Sequence, residues 1–249
     1  MEKQMPANDG VHPAATAESS ASRTRLNPAL TFANLVEGSA NRMARTAALR
    51  VASAPGEFYN PLFIHGGIGT GKTHLMHAVG NKLLESRPNA KVLYVRAEQF
   101  VSDVVESYQH ETFDEFNDRY HSLDLLLIDD VQFLAGKDYS QEELLNAFEA
   151  LLARKSSIVL TSNIYPRGLA DMDQRLVSRL DAGLTVPLEP PPLKMRVAIL
   201  LNKAEAVGIP MPKEVALFVA KYAGADVREL ESVLRKIQLA PEVLSDLFH

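Results

Sequence analysis

The chain has 249 residues, 46% of them hydrophobic and 23% charged, with a net charge of −5, a balance that suits a globular protein able to bury a sizeable core. That acidic balance speaks against binding nucleic acid through overall charge and leaves only a local basic patch for such a role. The absence of cysteine removes disulfide and thiol chemistry and fits a cytoplasmic setting, while no long apolar run or basic-then-apolar amino terminus suggests a membrane span or secretory leader.

In chain order, residues 1–26 are rich in Ala, Ser, Thr and Pro without apolar periodicity and read as a disordered tail. Patterning begins at Leu26. Phe32, Leu35 and Val36 form a small apolar cluster, and the Ala-rich stretch from Asn41 to Ala54 predicts a helix. The apolar run Leu62 to His65 predicts a strand, and directly after it stand Gly66, Gly67, Ile68, Gly69, Thr70, Gly71, Lys72 and Thr73, followed by a helical pattern from His74. Glycine, four residues, then Gly-Lys-Thr between a strand and a helix is the phosphate-loop pattern. Its glycines let successive amides and a helix N-terminus face phosphate oxygens. Lys72 would reach the terminal phosphates and the Thr73 hydroxyl would take a place on Mg²⁺. An ordinary glycine-rich turn is the bland alternative, and the directly following Lys-Thr argues against it.

Four more strands are predicted at Val92 to Val95, Leu125 to Ile128, Ile158 to Thr161 and Leu184 to Leu188, alternating with helical segments. The runs at 125 and 158 are almost uninterrupted, as expected of strands covered on both faces. The run at 125 ends in Asp129 and Asp130. Two acids after a strand can mark a plain turn; opposite a phosphate loop, Asp129 suits a Mg²⁺ contact and Asp130 suits polarising a water. Asn163 follows the run at 158 and could touch both a water and a γ-phosphate, although Ser-Asn also starts turns. Arg175 and Arg179 lie four apart on one short helix, with Asp173 and Asp181 as the candidate carboxylate partners by spacing. His74 and His77 are three apart, but no third ligand falls at a zinc-like spacing. After Pro190, Pro191 and Pro192 only helical patterns follow, the last with Val227, Leu230, Val233, Leu234 and Ile237 on one stripe. The fold class expected is α/β, with a five-stranded parallel sheet over residues 27–190 and a small all-helical lid over 191–249, the nucleotide lying between them.

These segments carry a family resemblance. LNPALTFANLVEGSANRMA, YNPLFIHGGIGTGKTHLMHAVGN, LLLIDDVQFLAGK, SQEELLNAFEALL, MDQRLVSRL, GLTVPLEPPPLKMRVAIL and ADVRELES together resemble the ATPase domain of the bacterial replication initiators, the DnaA family of AAA+ phosphate-loop ATPases. The resemblance implies an ATP/ADP switch with Mg²⁺ that assembles side by side on origin DNA and is turned off by hydrolysis. It casts Asn163 as the first sensor, Arg179 as a finger reaching a neighbour's γ-phosphate with Arg175 in support, and Arg228 as the second sensor on the lid. Val36 and Asn41 fall where the family borders the adenine. A finger supplied by the next subunit makes hydrolysis depend on assembly.

Two departures bear on DNA. The family's duplex-reading helix-turn-helix domain would follow the lid, and with the sequence ending at His249 no recognition of duplex origin boxes is expected. Residues 98–118 hold seven acids and no Lys or Arg where the family carries basic residues, which counts against binding single-stranded DNA through Val105 and its neighbours. Two readings therefore stay open: the ATPase module of an initiator that self-associates at the origin, or a regulatory relative that keeps the nucleotide switch and joins the full-length initiator through its Arg179 face.

Overall fold

In the computed structural model, residues 24–239 are described; the expected tail up to residue 23 and the lid's last residues, 240–249, lie outside them. The apolar runs pair into one parallel five-stranded sheet: β1 (Leu62–Gly66), β2 (Val92–Arg96), β3 (Leu125–Asp129), β4 (Ser157–Ser162) and β5 (Leu184–Leu188), in the order β2-β3-β4-β1-β5. Each strand runs one or two residues beyond its hydrophobic stretch except β5, because ladder bonds continue to where the chain turns at the sheet edge.

The uninterrupted runs reflect two covered faces. Successive side chains point to opposite sides of a strand, so Leu126, Ile128, Ile158 and Leu160 enter one core while Leu125, Leu127 and Val159 enter the other. The first core is closed by helices α3 (Ala97–Gln109), α4 (Phe113–His121), α5 (Asp138–Ala153) and α6 (Gln174–Leu180), with Phe100, Phe148 and Leu176 wholly buried. The second lies under α1 (Arg42–Ser53) and α2 (Lys72–Ser86), with the incoming segment supplying Leu26 and Phe32. A fully buried Leu or Phe contributes about 1.5–3 kcal/mol over its exposed state, so the sheet face is the main source of stability.

Beyond β5 the chain forms α7 (Leu193–Ala206), α8 (Lys213–Tyr222) and α9 (Val227–Leu239). They gather a third core of their own, including Leu200, Ala216, Leu230 and Leu234, which Ala40 and Val36 join from the amino-terminal segment. Pro192 and Pro212 each cap the helix that follows, where the missing N–H costs nothing.

Candidate nucleotide-binding site

The strand order places β4 between the phosphate-loop strand β1 and the acid-bearing strand β3, so three strand tips converge on one edge. The loop leaves β1, and α2 begins at Lys72 with Gly71 as its cap in the left-handed region at φ 100. Gly69 is also left-handed, at φ 69, and a Cβ there would fall 1.7 Å from an oxygen of Asp226. Both positions thus require glycine, one for backbone conformation and the other also for space.

Lys72 is buried and its ammonium folds back to donate to the Gly66 and Gly67 carbonyls at 2.8 and 2.9 Å. Desolvation pulls its pKa below the ordinary value and Arg228 acts in the same direction, opposed by the charges of Asp130, Asp129 and Asp226. A phosphate entering here would meet a cation short of water.

Asp129 is 1% exposed and its carboxylate accepts three hydroxyl donors. Thr73 Oγ1 donates to Oδ2 at 2.7 Å, Tyr94 Oη donates to the same oxygen at 2.9 Å, and Thr161 Oγ1 donates to Oδ1. Neither Tyr94 nor Thr161 was legible as a site residue. The only signal is register: Tyr94 sits on β2 two residues before the residue level with Asp129, and Thr161 ends the apolar run of β4. Burial, and then the Asp129 charge, push the Tyr94 phenol far above its usual range, so it acts as a donor throughout ordinary pH. Its ring lies 4.1 Å from that of His77, whose Nδ1 accepts the Asn27 amide. His74 Nε2 meets the Thr31 carbonyl at 2.9 Å, so both histidines serve the packing of the incoming segment rather than a metal pair.

Asp130 adopts a left-handed backbone at φ 60, which costs a residue with a Cβ about 1 kcal/mol and turns its carboxylate out of the strand. Its amide donates to Thr161 Oγ1 at 2.9 Å, so a single hydroxyl ties both acids to β4. Gln132 Nε2 donates to its Oδ1.

A cavity of about 300 Å³ joins these groups to the carboxy-terminal helices. Its polar end is walled by Ile68, Gly69, Thr70, Gly71, Lys72, Thr73, Asp130 and Arg228, and its apolar end by Leu30, Leu35, Val36, Met195 and Ile199. Gly66 and Gly67 take part through the carbonyls that hold Lys72. Asn41 lines the cavity, but its side chain is spent on the Val36 carbonyl and the Gly38 amide, which shapes the segment bordering the apolar end. α9 closes over the loop where Val227 N donates to the Gly69 carbonyl at 3.1 Å. Arg228 reaches the cavity with its guanidinium held by Asp226 at 2.8 Å.

The remaining candidates lie elsewhere. Asn163 is exposed just past β4 and is not part of the cavity wall. Arg175 and Arg179 lie on α6, away from the cavity, and both have partners. Asp173 holds Arg175 as its sequence position suggests, but Arg179 pairs at 2.7 Å with Glu149 of α5 and not with Asp181, which is taken by Arg167. Packing of α5 against α6 brings together two residues that are 30 apart in sequence, a pairing that helical spacing could not reveal.

A divalent cation fits this donor set. Oxygen donors from Thr73 and Asp129 at one edge of a phosphate-binding loop suit Mg²⁺, which keeps several waters and takes few protein ligands. Among the described residues no group of three or more His, Cys, Asp or Glu comes together. Among them, too, no helix is long and apolar enough to cross a membrane.

Comparison with known proteins agrees with this geometry. A family model for the bacterial DnaA ATPase domain matches residues 26–187. The chromosomal replication initiator protein DnaA of Leptothrix cholodnii is 62% identical over 247 residues, covering 94% of this chain and 48% of that protein. The chain thus spans about half the length of the curated relatives it matches. Among solved structures, domain III of the Thermotoga maritima replication initiation protein superposes with a TM-score of 0.84 at 41% identity, covering 88% of this chain and 92% of that one. A replication initiator bound to AMPPCP and single-stranded DNA superposes at 0.80 with 37% identity, over 86% and 66% of the two chains.

Proposed function

The chain belongs to the bacterial DnaA ATPase-domain family, and we propose that it is the nucleotide switch of a replication initiator, binding ATP or ADP with Mg²⁺ between sheet and carboxy-terminal helices and hydrolysing ATP slowly. The observation that carries this reading is the meeting of Thr73 Oγ1 and Asp129 Oδ2 at 2.7 Å beside a glycine loop whose lysine is already folded over it. We divide the chain accordingly into a nucleotide-binding unit, 27–190, and a helical lid from 191.

In the proposed mechanism the apolar end of the cavity takes the base and the loop amides with Lys72 take the phosphates. Thr73 and Asp129 would hold Mg²⁺, which would supply charge to offset that developing on the phosphates. Tyr94 and Thr161 keep the Asp129 carboxylate turned toward Thr73. Asp130 orients the attacking water and accepts its proton as the water oxygen bonds the γ-phosphorus and the bond from that phosphorus to the β-phosphate oxygen breaks, releasing ADP and phosphate. Arg228, released from Asp226, closes the lid onto the phosphates.

Arg175 and Arg179 lie outside the cavity wall, which suits roles in an assembly where Arg179 leaves Glu149 for a neighbour's γ-phosphate, while Asn163, just past β4, is proposed as the first sensor of the γ-phosphate and water. A related initiator has been captured with AMPPCP and single-stranded DNA, which supports nucleotide binding and strand contact for this chain as well. The regulatory alternative has no comparable support. Light scattering of the chain with ATP, and separately with ADP, tests the reading: growth in mass with ATP alone is the expected outcome, and one unchanged mass in both would reject it.

A further inference from the structure

Helices α3, α4 and α5 leave an aromatic face uncovered at one corner of the molecule. Tyr108 of α3 packs edge-on against Phe113 at 4.3 Å and lies 5.9 Å from the ring of Tyr139 on α5. Val105, Tyr108 and Tyr139 are nonetheless 45%, 45% and 73% exposed. Side chains that could have been buried are held together at the surface, and such patches mark contact sites more often than chance.

The charge around this face is mainly negative, with the exposed Lys137 beside Asp138 and with Arg175 and His121 lying in the fields of Glu142 and Glu143. Tyr108 Oη donates to Glu143 at 3.3 Å, and Asp138 and Glu142 flank Tyr139 on the same turn of α5. Among the described residues the ion pairs of these three helices are Asp103 with Arg25 and Arg119, and Glu149 with Arg179. Among the described residues Asp138, Glu142 and Glu143, like Glu106 and Asp114, have no cation within ion-pair distance. Desolvation and then the Glu143 and Glu142 carboxylates raise the Tyr108 phenol's pKa, which shows the field reaching the ring.

We propose that the Val105, Tyr108 and Tyr139 face is a docking surface for an arginine-bearing segment of a partner protein. The chemistry is complementary in two ways. A guanidinium stacks on an exposed aromatic ring and bonds carboxylates with the same planar fork, so an acid-rimmed tyrosine pair favours arginine over lysine and over any anion. A single-stranded nucleic acid, whose bases also stack on aromatic rings, has its phosphates repelled by the carboxylates on the rim. This surface is remote from the nucleotide cavity, whose wall contains none of its residues.

The test uses the whole chain and three labelled probes in fluorescence anisotropy: a twelve-residue alternating Arg-Ala peptide, the same peptide with Lys, and a dT twenty-mer. The arginine peptide should bind several-fold tighter than the lysine peptide. Tyr139→Ala and the charge reversal Glu142→Lys should each weaken it at least five-fold. Glu214→Lys, on α8, should leave binding unchanged, and ATP affinity should be the same in all three variants, which shows that they fold. Equal loss with Glu214→Lys would reduce the binding to diffuse charge and overturn the proposal. Binding of the dT probe that is lost with Tyr139→Ala would also overturn it, making the face a strand-stacking ledge.

Discussion

Arg228 and Asp226 face each other across one turn at the start of α9, with guanidinium nitrogens 2.8 to 3.3 Å from both carboxylate oxygens. Asp226 also accepts the Arg228 amide as the helix cap, and the same carboxylate occupies the space a Cβ at Gly69 of the phosphate loop would need. The cation on the lid is thus already in the cavity but engaged by an internal anion, which an incoming phosphate must replace.

Asp226→Asn keeps the cap and removes the competing charge. ATP affinity is expected to rise by about three- to ten-fold, equivalent to roughly 0.6–1.4 kcal/mol. Equilibrium titration with a fluorescent ATP analogue reads it, and an unchanged or weaker affinity would show that Asp226 does not compete.

Tyr94→Phe and Thr161→Val each free one bond to Asp129 while leaving its carboxylate in place. Outer partners of metal-holding side chains typically carry a ten- to hundred-fold effect. The expected outcome is a higher Mg²⁺ concentration for half-maximal ATP binding, with Mg²⁺-free binding little altered. An identical Mg²⁺ titration in both variants would remove the positioning role.

Arg179→Ala should leave ATP binding near the parent's value and abolish the rise of specific hydrolysis with protein concentration. Glu149→Gln removes the partner that holds Arg179 at 2.7 Å and should enhance that rise. Parallel concentration curves for parent and Arg179→Ala would mean that the arginine does not act across chains.

His77 is buried, and burial holds its pKa at about 4 against an ordinary 6.5. A base with a lowered folded pKa stabilises the fold fully above its unfolded pKa and loses that contribution as the pH falls through the folded one. Stability should therefore decline from pH 6.5 toward about 4, where the protonated ring also ceases to accept the Asn27 amide. His77→Gln should flatten this part of the thermal-melting profile, and a profile as steep as the parent's would place the titration elsewhere.

Much of the site was legible because its chemistry is local. Gly66 to Thr73 occupy consecutive positions, and the acids follow an apolar strand directly, so spacing alone pointed to a phosphate loop facing Asp129. The strands were equally plain, since burial on both faces leaves near-continuous runs of Leu, Ile and Val. Strand order was not: nothing local says that β4 enters between β1 and β3, and the roles of Thr161 and Tyr94 follow from that order. Glu149 as the partner of Arg179 depends on helix packing, and so does the way Asn41, which lines the cavity, holds the Val36 carbonyl and the Gly38 amide.

Isothermal titration of ATP with Mg²⁺ into the chain and into Lys72→Ala tests the central claim most directly. The parent should bind one ATP, and Lys72→Ala, which deletes the ammonium resting on Gly66 and Gly67, should show no detectable heat of binding. Equal affinity in the two proteins would contradict the assignment of this loop as the phosphate site.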